Sequence, residues 1–253
     1  MDILIHTLSG AAVASAVACL VKDNLSSRFK LILLGCFAGA LPDIDALSMW
    51  SGFDSSFRIW FNLNESGSDI YRGIHWYSHH AFLHSFLASI LIPSTPIFIY
   101  SIYKRKKPNR KALLHLLVFT FSFNAHLLGD LPTPKGSWNG IAFFYPSDRY
   151  IGGYGHTWWW NNYDIFILML VSVLINTISF FIIRRKNYFG IITVAVTLAL
   201  CLVQFSRRDF DFNSKEITSL QKSEKSLELQ RKFLGYRLFN VMQKFDEKLP
   251  VHF

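Results

Sequence analysis

Apolar residues in this chain gather into long, nearly unbroken runs rather than into the one-sided stripes of a soluble helical protein. Six runs stand out, at roughly 5–21, 29–41, 82–103, 112–130, 164–183 and 188–205. A membrane-crossing helix needs about 20 mostly apolar residues. The third, fourth and fifth runs reach that length, the first and sixth come close, and the second is short. The pattern predicts an all-α, polytopic membrane helix bundle with six transmembrane helices. Pro93 and Pro96 inside the third run predict a kink there. Ala14-Ser15-Ala16 in the first run mimics a signal-peptide cleavage site. No Lys or Arg precedes that run, however, and His6 and Ser9 interrupt it, so the expectation is a retained helix.

Beyond residue 205 the pattern changes. Asn213 and Glu216 have capping-box spacing. Ile217, Leu220, Leu227, Leu234, Leu238, Val241 and Phe245 then recur at three, four or seven, the stripe of one amphipathic helix. The chain therefore divides into a membrane-embedded domain at 1–205 and a polar, amphipathic tail at 206–253. The tail is suited to the membrane surface or to the loops on one side.

Composition excludes an ordinary soluble domain. Hydrophobic residues make up 51% of the chain and charged residues only 17%, against about 25% charged in a typical soluble domain. The net charge of +9 does not call for nucleic acid as a partner, because much of the excess lies in short loops between apolar runs. Lys104 to Lys111 joins the third and fourth runs, Arg184-Arg185-Lys186 joins the fifth and sixth, and Lys22, Arg28 and Lys30 lie between the first and second. These loops are expected in the cytoplasm. Residues 42–81 carry only Arg58 and Arg72 against five acids, and residues 131–163 only Lys135 and Arg149. Those segments and both termini are expected on the outer side. Cys19, Cys36 and Cys201 sit inside apolar runs, so no disulfide is expected.

Once direction is assigned, the ionisable residues sort to one face. His6 falls at the outer start of the first helix. Asp43 and Asp45 fall at the outer end of the second, His79, His80, His84 and Ser85 at the outer start of the third, and His126 and Asp130 at the outer end of the fourth. Ionisable groups in membrane segments cost on the order of 3 kcal/mol each, so their concentration points to function. His and carboxylate ligands suit zinc and related divalent ions. His126 and Asp130, four apart, share a helical face, as would His80 and His84. Asp43 and Asp45 follow Pro42 in what reads as extended backbone, which turns their side chains opposite ways. One would ligate while the other orients a histidine. His115 falls at the other end of the fourth helix and carries no expected role.

These residues also carry a resemblance. The chain resembles the YdjM-like family of inner-membrane metal-dependent hydrolases over most of residues 1–183. The match rests on His6 followed by Gly10, on Leu41-Pro42-Asp43-Ile44-Asp45, and on His79 through Ser85. It continues through His126, Asp130, Thr133 and Gly136 and into Tyr145-Pro146-Ser147-Asp148-Arg149-Tyr150. His80 stands where the family has Arg, residues 46–78 form a longer loop than expected, and the tail after about 205 is unmatched. More distantly, the family is similar to zinc-dependent phospholipases C and single-strand nucleases. That similarity implies phosphoester hydrolysis, by analogy alone.

The combined expectation is a hydrolase with one or two divalent ions, zinc first, acting on a lipid-linked phosphoester at the outer face of the inner membrane. His6, Asp45, His79, His84, His126 and Asp130 are the expected ligands, with Asp43 as orienting group or general base and Ser85 as a second catalytic candidate. His80, Thr133, Asp148 and His156 are in reserve. The aromatics of 131–163 are expected to form an interfacial belt or a lid. A metal-ion transporter and a non-enzymatic scaffold locked by metal are the alternatives.

Overall fold

The computed structural model describes residues 2–154, 158, 161–183, 187–208 and 219–248. Arg184-Arg185-Lys186, His156 and the capping pair Asn213 and Glu216 lie outside them. Six helices are long and apolar enough to cross a membrane: α1 (Ile3–Leu20), α2 (Leu25–Ala40) with its continuation to Met49, α5 (Phe86–Lys104), α6 (Arg110–Asp130), α7 (Tyr163–Ile182) and α8 (Phe189–Ser206). Two short helices, α3 (Phe57–Trp60) and α4 (Gly67–Arg72), lie in the loop before α5, and α9 (Ser219–Asp246) forms the tail. The bundle is all-helical.

The helices start where the sequence supplies caps. Asn24, Ser85 and Asn109 each accept a backbone N–H three residues on, at Ser27, Ala88 and Ala112. α5 runs from Phe86 to Lys104 with both prolines inside it. The carbonyl of Ser89, to which Pro93 cannot donate, accepts the Thr120 hydroxyl of α6 instead (3.1 Å).

α1 is the central helix, packed against α2, α6, α7 and α8. Its approach to α2 depends on glycine. Gly10 lies against Gly35 and Gly39, so closely that a Cβ built on any of the three would overlap the facing helix. Small residues spaced four apart allow such contacts between membrane helices. On the other side the Ser122 hydroxyl of α6 donates to the Gly10 carbonyl (3.0 Å). One rung thus ties α1, α2 and α6 together, and His6, Gly39 and His126 lie one helical turn further along.

Further contacts mark the two ends of the bundle. At one end, buried Arg28 donates to the Val21 carbonyl (2.9 Å), and Lys111 pairs with Asp23 (3.3 Å). That end carries the loops rich in Lys and Arg. At the other end, Arg208 after α8 is held by Asp164 of α7 (2.8 and 2.9 Å), by Asn162 (3.0 Å) and by the Trp158 ring beneath it (3.9 Å). The start of α1, the end of α6 and the tail share this second end.

Two local expectations change. Leu41–Met49 is a 3-10 helix rather than extended chain, with Pro42 in its first turn. At about three residues per turn, Asp43 and Asp45 still diverge, by about 120°. In the third segment, α5 begins at Phe86 rather than among the histidines, because Ser85 caps it. His79 to His84 form an irregular turn, with His80 in the left-handed region (φ 64°), so His80 and His84 do not share a helix face.

Candidate metal centre

The spacing of α6 builds the first wall. Ser122, His126 and Asp130 succeed one another at four-residue intervals on a single face turned toward α1. His6 on the antiparallel α1 meets that face: its ring stacks on His126 (centroids 3.6 Å), and its Nε2 lies 3.0 Å from Asp130 Oδ1. The 3-10 turn after α2 brings in Asp43 and Asp45, and the turn before α5 brings in His79, His80 and His84.

Hydrogen bonds settle which ring nitrogens face inward. His126 Nδ1–H donates to the Gly39 carbonyl (2.7 Å), and His84 Nδ1–H donates to Asp45 Oδ2 (3.1 Å). A carbonyl or carboxylate oxygen can only accept here, so both Nε2 atoms are left to the interior. They lie 3.2 Å apart. Two such nitrogens at that separation must share a proton or a cation. Around them stand carboxylate oxygens. Asp130 Oδ2 is 3.0 Å from His126 Nε2 and 3.6 Å from His84 Nε2, and Asp43 Oδ1 is 3.6 Å from each.

These separations fit a divalent ion. Zinc–nitrogen bonds of about 2.0–2.1 Å in a tetrahedron give ligand–ligand edges of about 3.3–3.4 Å, and the separations from the two Nε2 atoms to one another and to the carboxylate oxygens run from 3.0 to 3.6 Å. The donor set is His and carboxylate, which zinc accepts. Two further atoms support the fit: Asp43 Oδ2 is buried with no hydrogen-bond partner among the described residues, and His6 Nε2 makes no well-aligned hydrogen bond. Asp43, His84 and His126 form one group able to hold an ion, and His6, His126 and Asp130 form another that shares His126. His79, His80 and His84 form a third, adjoining group, and in each group the ligand atoms lie within 4.8 Å of one another.

Asp45 is placed differently. Its oxygens face His79 Nδ1 (2.5 Å) and His84 Nδ1 (3.1 Å), so one carboxylate bridges two imidazoles. His79 stacks on Tyr71 (4.6 Å) and meets the edge of Trp138 (5.0 Å), whose Nε1 donates to the Tyr71 carbonyl (2.6 Å). Burial, followed by the charges of Asp43, Asp45 and Asp130, pushes the Tyr71 phenol well above its ordinary pKa, a sign of the negative field around the site. Burial likewise holds His80 well below the usual imidazole range, hence neutral, and its Nδ1–H donates to the Gly140 carbonyl (3.1 Å).

Several candidates stand elsewhere. Ser85 accepts from the Ala88 N–H and donates to the Phe82 carbonyl (2.6 Å), the work of a helix cap. Thr133 donates to the Asp130 carbonyl (2.7 Å) and closes α6. Asp148 is exposed, and His156 lies outside the described residues. His115 is exposed in the basic half of α6. Sequence reasoning missed the carbonyls of Gly39 and Gly140 and the rings of Tyr71 and Trp138. The carbonyls leave no trace in residue type, whereas Trp138 was visible only as one aromatic among many.

The family model described as YdjM inner membrane protein matches residues 1–210. No curated protein and no solved structure matches the chain.

Proposed function

Because the chain belongs to the YdjM inner membrane protein family and is a multi-pass membrane protein, we propose that it is a metal-dependent hydrolase of a lipid-linked phosphoester. The observation that supports this most is that Asp43 Oδ1 and Asp130 Oδ2 each lie 3.0–3.6 Å from the facing Nε2 atoms of His84 and His126, inside a membrane bundle. Asp43 is then a ligand and Asp45 the orienting group. This exchanges the ligand role expected for Asp45 with the role expected for Asp43.

A divalent ion held by these residues would supply Lewis acidity, lowering the pKa of a water to about 7 and offsetting charge on a departing oxygen. The chain's own groups do the rest. Asp45 fixes the His79 ring through Nδ1, which leaves Nε2 to accept a proton from the attacking water, and the same carboxylate stabilises the imidazolium that forms. Asp45 and the Gly39 carbonyl hold the tautomers of His84 and His126. Of the four ligands Asp43 alone is open to its surroundings, at 13% side-chain exposure, and marks the side from which a substrate oxygen would approach.

Depth favours a lipid-borne substrate. α2 has 16 residues, which rise about 24 Å against a hydrocarbon core of about 30 Å. If α2 starts at the boundary marked by Arg28 and Lys30, Asp43 lies below the outer head groups. The matching experiment measures phosphate or head-group release from phospholipid and polyprenyl phosphoesters in micelles, with and without chelator, beside soluble phosphoesters. Chelator-sensitive turnover of the lipid substrates is expected. Turnover of soluble esters alone would overturn the lipid assignment, and no turnover by metal-loaded protein would leave a metal-locked scaffold as the better reading.

The basic loops at the opposite end of the bundle support an outer placement of the site. Cysteines introduced at Ser68 and Ser137 are expected to react with an impermeant thiol reagent in intact cells, and Lys106→Cys is expected to stay silent. The reverse pattern would put the site on the cytoplasmic face.

A further inference from the structure

The tail helix α9 is one element in sequence but two in space. At Gly235 the backbone leaves the helix (φ 73°, ψ 158°), a conformation open to glycine because it lacks a Cβ. The break explains how residues far apart in the tail reach the same place. Gln230, before it, accepts the Tyr163 N–H (2.8 Å) and donates to the Asn161 carbonyl (2.9 Å). Asp246, after it, accepts from the Asn161 amide (2.6 Å) and the Tyr163 hydroxyl (2.8 Å). The second arm, residues 236–246, therefore lies across the start of α7, and Met242, Phe245 and Asp246 border a small crevice with Asp2, Leu4 and Ile5 of the α1 end.

At about 100° per residue this arm presents three faces. Phe239, Met242 and Asp246 fall within about 60° of one another and form the docked face; Phe239 is buried against the Tyr163 ring (5.6 Å). Leu238, Val241 and Phe245 also fall within about 60°, but on a separate face, and they are 42%, 62% and 47% exposed. Arg237 and Lys244 line the edge of that second stripe, and Gln243 points the opposite way. The single stripe expected from the sequence is thus divided: polar Ser226 and Gln230 dock the first arm, while Leu238, Val241 and Phe245 of the second arm are left uncovered.

We infer that the second arm of α9 is an in-plane anchor seated in the phospholipid interface. Leu238, Val241 and Phe245 would dip into the acyl boundary, with Arg237 and Lys244 at the level of the phosphates. Three observations converge on lipid as the occupant. The arm is fixed to the end of a membrane-crossing helix. The Phe245 ring adjoins Phe166 in the first turn of α7 (6.5 Å), which continues the apolar girdle outward. The cations flank the apolar stripe as they do in interfacial helices. The arm lies beyond residue 210, outside the family match, and it borders the end of the bundle at which α1 starts.

Site-directed spin labelling in vesicles of phosphatidylethanolamine and phosphatidylglycerol tests this. Cys19, Cys36 and Cys201 are first replaced by Ala, and single cysteines are then placed at Leu238, Val241 and Gln243. Power saturation is expected to show the labels at 238 and 241 more accessible to oxygen than to a water-soluble nickel chelate, and the label at 243 the reverse. Two sites on the stripe guard against one variant folding badly. Equal nickel accessibility at all three positions would overturn the anchor. So would spin–spin broadening at 241 that disappears on dilution with unlabelled protein, which would make a second copy the occupant. Neither readout involves metal or turnover, so the test stands apart from the hydrolase reading.

Discussion

His126→Ala and Asp130→Ala are each expected to lose most of the bound divalent metal, while His115→Ala keeps it. The size of the effect follows from geometry. Each of the first two substitutions removes a donor atom from a group of three, His126 belongs to two such groups, and Asp130 also touches both His6 and His126. Loss of an outer orienting group typically costs 10–100-fold in affinity or activity, so loss of a ligand itself is expected to exceed about a hundredfold. His115 stands on the same helix, exposed and three turns nearer the basic end, so it controls for a general effect of losing a histidine from α6. Asp45→Asn sharpens the test, because the proposal makes Asp45 an orienting group. It is expected to retain metal at saturating concentration and to slow turnover by about 10–100-fold. Metal content equal in all four variants, measured by atomic emission on purified protein, would remove the basis for the site.

Gly35→Leu is expected to be the most damaging single change outside the site. A Cβ at Gly35 would meet the Gly10 carbonyl oxygen and the Ala14 methyl group, and the Gly10 backbone cannot step aside as a flexible side chain could. Overpacking costs about 1–3 kcal/mol where side chains can adjust; with backbone as the obstacle, the loss is expected at or above that range. The consequence reaches the metal centre. Pushing α1 from α2 separates His6 from the His126 ring and moves the Gly39 carbonyl that fixes the His126 tautomer. Thermal unfolding in detergent should show a large fall in the midpoint for Gly35→Leu, with lost metal, and little change for Leu33→Ala on the exposed face of the same helix. An unchanged midpoint for Gly35→Leu would mean that the close glycine contact does not hold the bundle together.

The legible part of this protein was set by patterns that do not depend on tertiary detail. Runs of apolar residues announced six spanning helices because a bilayer demands their length. The His126–Asp130 spacing announced a shared face because helical periodicity is fixed. From the residue pattern, His6 was grouped with them through the alternation of basic and non-basic loops, which assigned His6 and Asp130 to one end, and the family resemblance grouped them as well. What stayed hidden was backbone in irregular segments. Pro42 permits both extended and 3-10 geometry, and that choice decides what Asp43 and Asp45 face. His80 adopts a left-handed conformation that its residue type does not suggest, and its partner is a carbonyl at Gly140, 60 positions away. The break at Gly235 is one glycine in a helical stripe, and no periodicity shows that the chain changes direction there.

X-ray absorption at the metal edge, on protein purified without added chelator, bears most directly on the central claim. The expected spectrum is that of zinc bound stoichiometrically by imidazole nitrogen and carboxylate oxygen with one position left to water, at about 2.0–2.2 Å, with the imidazole scattering reduced in His126→Ala. A protein that is folded and monodisperse, yet holds no stoichiometric metal even after incubation with zinc, would contradict the account.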